Sequence, residues 1–140
     1  MLVSSTPALR IVLTTLPNAE IAGRLAHELV AAKLAACVNV LSPCRSIYRW
    51  QESGAPGSGK TSESPPEGAK SILGRPGNRL DSVQEDVEIP LIIKTTAARY
   101  PALETFLREN HPYQVPEILA IDGVDGLPDY LRWAALATQP

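Results

Sequence analysis

The stretch Leu9-Arg-Ile-Val-Leu-Thr-Thr-Leu-Pro-Asn-Ala-Glu-Ile-Ala-Gly-Arg-Leu-Ala-His-Glu-Leu-Val-Ala-Ala-Lys-Leu34 sets the architecture. Leu9 to Thr15 is apolar and β-branched, a strand composition, and Pro17-Asn18 then supplies a break and a side chain suited to capping a helix. From Glu20 to Leu34 the period changes. Ile21, Leu25 and Leu29 recur every four residues beside Ala22, Ala26 and Val30, with Arg24, Glu28 and Lys33 among the polar positions, the pattern of an amphipathic helix. His27 falls beside Arg24 and Glu28, on a solvated face rather than in a ligand set.

Working outward, Ala35 to Gln51 returns to extended character and reads as one long strand with a bulge or bend at Ser42-Pro43, because proline cannot donate to a ladder. Val87 to Thr95 is a further strand. Ala97 to Asn110 carries Tyr100, Leu103, Phe106 and Leu107 at helical spacing, Ile118 to Asp122 is a strand ended by Gly123, and Leu127 to Ala137 is a short terminal helix. The order is β-α-β, then β-α-β, then the short helix. It specifies an α+β chain, a ferredoxin-like βαββαβ sandwich. Two amphipathic helices cover one face of a four-stranded sheet. The other face, expected from Ile47 to Trp50 and Leu91 to Ile93, needs cover from elsewhere, so self-association is expected.

The chain of 140 residues is 44% apolar and fits a single domain over 1–140, large enough for a real core. With 13 basic against 15 acidic side chains it carries a net charge of −2, which offers no electrostatic footprint for nucleic acid or an anionic membrane. No apolar run approaches the ~18 residues of a membrane span, and the first ten residues lack a signal-peptide pattern, so the cytoplasm is the expected compartment. Cys37 and Cys44 form no CxxC pair. In a continuous strand they would sit roughly 23 Å apart on opposite faces, too far for a disulfide, and Cys37 reads as a small packed hydrophobe.

Between Glu52 and Gln84, 33 residues hold six glycines, four prolines and six serines. This composition reads as a flexible loop insertion that the fold does not need, with an unidentified protein as its partner. Inside it, Gly54-Ala-Pro-Gly-Ser-Gly59-Lys60-Thr61 matches the phosphate-binding P-loop pattern, yet Ser64-Pro65-Pro66-Glu67-Gly68 follows where that motif requires a helix. The match is therefore one of letters, not of context. A hydrolytic G-x-S-x-G elbow and recognised metal-ligand spacings are also missing from the sequence, so no catalytic residue and no enzymatic activity are expected.

His111-Pro-Tyr-Gln-Val-Pro-Glu-Ile118 is the most distinctive segment for function. Its two prolines stiffen it and hold His111 and Val115 out of the helical region. If extended, it presents His111, Tyr113 and Glu117 to one side, about 20 Å separating the first from the last.

Ile11-Val-Leu-Thr-Thr, Leu34-Ala-Ala-Cys-Val-Asn-Val, Ser46-Ile-Tyr-Arg-Trp, Ile93-Lys-Thr-Thr and His111-Pro-Tyr-Gln-Val-Pro-Glu-Ile together resemble the CutA family of divalent-cation tolerance proteins. The resemblance runs from about Leu9 to Trp133, broken by the insertion. It implies a ferredoxin-like protomer in a tight homotrimer with long hairpins pairing across subunits, and a role in cation, particularly copper, tolerance. It implies a divalent ion, Cu²⁺ or Zn²⁺, that folding does not need. Family positions credited with copper binding hold Thr14, Asn110 and His111 here, so only His111 keeps a ligand, and Cys37 matches a further family cysteine. His111 and Cys37 are thus the candidate metal ligands, and the missing thiolate at Thr14 weakens a preference for Cu(I). The family also resembles the PII signalling trimers, which implies a second reading: a small anion or nucleotide in a cleft lined by Lys94, Tyr113 and Glu117. A trimeric scaffold without ligand is the third.

Overall fold

Asn18 fixes where the first strand gives way to the first helix: its Oδ1 accepts from the Ile21 amide at 2.9 Å, the bond expected of a helix cap. The computed structural model describes residues 5–49 and 83–140. Its elements are β1 (Leu9–Leu16), α1 (Ala19–Ala31), β2 (Cys37–Val40), β3 (Cys44–Arg49), β4 (Val83–Thr96), α2 (Tyr100–Asn110), β5 (Leu119–Val124) and α3 (Pro128–Ala137). The strands form an antiparallel sheet in the order β2-β4-β1-β5, with β3 also on β4. β2 and β3 together take the place of one ferredoxin-like strand, as their shared pairing with β4 requires.

The interruption expected at Ser42-Pro43 is a one-residue register shift. Val40 opposes Leu91 and Cys44 opposes Glu88, so three residues on one side face two on the other. The shift corrects one expectation. Cys37 opposes Lys94 and Cys44 opposes Glu88, positions of equal parity on β4, so both cysteines share one face instead of lying on opposite ones. Both thiols are free and half-buried. The strand containing β4 also begins earlier than expected. Val83 and Gln84, assigned to the insertion on composition, pair with Arg49 and Tyr48, while the rest of that insertion, including Gly54 to Thr61, lies outside the described residues, as does Trp50.

The core lies between the sheet and α1 and α2. Val12 and Leu16 of β1, Ile89, Leu91 and Ile93 of β4, Leu25 and Leu29 of α1, and Leu103 and Leu107 of α2 form one buried cluster. Leu91 and Ile93 therefore belong to the covered face, contrary to the sequence expectation, because they oppose Thr14 and Val12 in register. The alternate positions build the open face. Ile11 opposes Lys94 and Ile121, and Leu13 opposes Ile92 and Leu119, so Ile11, Leu13, Ile92, Leu119 and Ile121 share it, with Leu119 54% and Ile121 49% exposed. Ile47, at 63% exposed, sits on the opposite side of the β3–β4 hairpin. α3 packs Leu131 and Ala134 against Leu9 and Ala36, which buries one end of the sheet and leaves the five aliphatics open.

α1 ends with Lys33 at φ 56°, the left-handed residue of a C-cap in which the Leu34 and Ala35 amides return to the Leu29 carbonyl at 3.0 and 3.2 Å. That conformation costs an L-residue about 1–2 kcal/mol, whereas glycine adopts it freely at some cost in unfolded-chain entropy. Lys33→Gly is expected to raise the unfolding free energy by roughly 0.5–1 kcal/mol in a urea titration; a loss of stability would contradict this account of the cap.

Candidate functional site

The Pro112 ring ends α2: the His111 amide still donates to the Leu107 carbonyl at 2.8 Å, but His111 itself turns to φ −74°, ψ 135°. This turn drives its imidazole under the end of β1. Nε2 lies 2.9 Å from the Thr15 carbonyl and 3.2 Å from the Thr14 hydroxyl, and Nδ1 accepts from the Tyr113 amide at 3.1 Å. A carbonyl accepts only, and an amide donates only, so the network assigns the proton to Nε2. His111 is buried, and that burial lowers its pKa against the smaller opposing effects of the Thr15 carbonyl and the Glu88 charge. The ring is neutral at pH 7.

From this anchor the chain carries Tyr113 over β4. The two rings tilt against each other with centroids 4.9 Å apart, and the Tyr113 hydroxyl donates to Glu88 Oε2 at 2.9 Å. Two residues earlier on the same face, Asp86 accepts from the Tyr48 hydroxyl of β3. Cys44 opposes Glu88 and Ser46 opposes Asp86, with Cys44 Sγ 3.7 Å from Ser46 Oγ. The result is a phenol–carboxylate network at the root of the β3–β4 hairpin. Burial raises both phenol pKa values, and the neighbouring carboxylates raise them further: Glu88 and Asp86 for Tyr113, Asp86 and Glu88 for Tyr48. Both hydroxyls stay protonated and donate to the Asp86 and Glu88 carboxyl groups.

The sequence candidates divide in space. His111 and Tyr113 meet in this network, whereas Glu117 is exposed, because the bends at 112–115 break the alternation that would align it with them. Lys94 lies near the other end of β4, opposite Cys37 and Ile11, where its Nζ donates to Asn39 Oδ1. Cys37 and His111 are likewise apart: Cys37 is level with Ile11 and His111 with Thr14 and Thr15, about 10 Å or more along β1. Among the described residues, no group of three or more His, Cys, Asp and Glu side chains is arranged to hold a metal ion. Sequence reading missed Asp86, Glu88, Tyr48 and Cys44. Their alternation across the hairpin was the available signal, but it depends on the β3–β4 register, and Asp86 was assigned to neither strand.

The CutA1 divalent ion tolerance protein family matches residues 10–56 and 80–137. This chain belongs to that family. Among CutA relatives, a divalent-cation tolerance protein from Thermus thermophilus is 35% identical over 123 residues, covering 88% of this chain and 91% of the relative. The mouse protein CutA is 33% identical over 125 residues, but this chain spans only 54% of its length. Among solved CutA1 structures, that from Oryza sativa aligns with a TM-score of 0.72 at 32% identity, covering 96% of this chain and 98% of that one. The Thermus thermophilus structure gives 0.70 at 34% identity, covering 94% and 99%. The ferredoxin-like fold expected from the element order is the one found, and it matches these CutA1 structures.

Protonation of His111 adds an N–H at Nδ1 where the Tyr113 amide already points, so the network opposes it. Its folded pKa lies below the ~6.5 of a free imidazole, so the folded chain binds fewer protons than the unfolded one as pH drops. The contribution is complete above that pH and is lost as pH falls through the folded-state value. Urea midpoints at pH 7.5 and 5 are expected to differ less in His111→Gln than in the unaltered protein; equal differences would contradict the assignment.

Proposed function

We propose that the chain serves divalent-cation tolerance as a homotrimer, binding Cu²⁺ or Zn²⁺ without catalysis, in the cytoplasm. Membership of the CutA1 family over both halves of the fold carries this reading. The open aliphatic face supports assembly, since five neighbouring aliphatic side chains on a sheet surface gain by mutual burial. Assembly also bears on the ion. The described residues of one copy hold no group of three or more His, Cys, Asp and Glu side chains arranged for an ion, so the donors would be shared between copies, with the Glu88 carboxylate and His111 from one and Cys37 from another. His111 must release Thr15 or Tyr113 to coordinate, which limits its affinity. Hard oxygen donors beside imidazole and thiol suit Zn²⁺ and Cu²⁺ better than Cu(I).

Isothermal titration is expected to give saturable heat with Zn²⁺ or Cu²⁺ and little with ATP. Removing one ligand or its supporting contact should weaken binding about tenfold or more, so His111→Ala and Glu88→Gln should each lower affinity to that extent. Silence with both ions would overturn the reading, and saturation with ATP in their place would favour the PII-like sensor.

A further inference from the structure

A lysine stands inside the open aliphatic face. Lys94 of β4 lies opposite Ile11 on one side and Cys37 on the other, two residues beyond Ile92, and it is half-buried. Its Nζ donates to Asn39 Oδ1, which faces the same way from β2, opposite Ile92. An amide oxygen satisfies one of the three N–H donors of an ammonium and supplies no opposing charge. On the helix side of the sheet the cations are matched better: Arg10 lies 3.6 Å from Asp122, and Arg45 is paired with Glu85. Among the described residues Lys94 forms no ion pair.

The carboxylates able to match it lie on the same side of the sheet, far along the same strand. Asp86 and Glu88 have the parity of Ile92 and Lys94 on β4, and they accept from the neutral hydroxyls of Tyr48 and Tyr113. Among the described strand residues, they are the carboxylates that the register turns to this side. Glu88 and Lys94 are six residues apart on a continuous strand, about 20 Å, beyond the combined reach of the two side chains. Each copy thus carries an unmatched cation in the body of the face and unmatched carboxylates on the hairpin. A purely aliphatic cover would strip water from Lys94 without compensation, and a covered lysine is tolerated only when paired. We propose that Lys94 of one copy pairs with Glu88 of a second copy when the open face is covered, so that this pair sets the register in which the copies meet. The inference rests on the self-association proposed above. It is consistent with the shared ion site as well: Cys37 opposes Lys94, so the approach that brings Cys37 of one copy to Glu88 of another brings the ammonium to the same carboxylate.

A double-mutant cycle of Lys94→Met, Glu88→Gln and the two together tests this, read by sedimentation velocity over a concentration series of the full-length protein. EDTA is present throughout, so that no divalent ion competes for Glu88. Gln keeps an acceptor for the Tyr113 hydroxyl, and far-UV circular dichroism checks that each variant stays folded. Each single substitution should raise the concentration of half-assembly at least about tenfold, because it leaves the other member covered and unpaired. The double variant should be no weaker than either single one. Additive losses would overturn the pair. So would Lys94→Met chains that assemble as tightly as the unaltered protein or more tightly, the result for a lysine that stays in water. Assembly that requires added inorganic phosphate would also overturn it, by assigning Lys94 to a bound anion. A single-chain species of the unaltered protein at every concentration would remove the self-association itself, whereas uncoupled losses in a protein that still assembles would remove the pair alone.

Discussion

A sheet with α1 and α2 over one face and only α3, at one end, on the other is an unfinished structure, and the rest of this molecule is arranged around that fact. α1 and α2 close over Val12, Leu91 and Ile93, and the same strands turn Ile11, Leu13 and Ile92 the other way, beside Leu119 and Ile121 of β5. Alternation makes this unavoidable: a strand cannot bury one set of side chains without presenting the other. α3 finishes one end by packing on Leu9 and Ala36. Completing the burial of the remaining aliphatics is worth on the order of 1 kcal/mol each, a favourable contribution that a second copy covering this face would gain.

The polar chemistry sits where that sheet extends beyond its helices. There β3 and the first half of β4 carry Tyr48, Asp86 and Glu88 on one side, while a neutral imidazole and a phenol enter from the turn after α2. Low polarity around the phenols keeps their protons on and strengthens their bonds to the carboxylates. Under the proposed function, Glu88 is also an oxygen donor for a divalent ion.

Periodicity revealed the elements well because each had a clean signal. The four-residue spacing of Ile21, Leu25 and Leu29 and the Asn18 cap are local properties, and α1 follows them within a few residues. The Ser42-Pro43 interruption was legible for the same reason. What failed depended on register, which no single segment carries. Whether Leu91 or Ile92 faces the helices is decided by pairing with β1, and whether Cys37 and Cys44 share a face is decided by one inserted residue. The site followed the same rule. His111 and Tyr113 stood out because two prolines flank them, but Glu88 became their partner only through the fold. Glu117 was lost from the group because bends, not an extended strand, follow Pro112.

Sedimentation velocity on the purified protein tests the central claim most directly, because every part of the account begins from a sheet face that one copy cannot cover. At low micromolar concentration the account predicts a single species of three chains, and Leu13→Asp together with Ile121→Asp, which place charge at the centre of the open face, should dissociate it. A stable, well-dispersed single-chain species of the unaltered protein under the same conditions would contradict it.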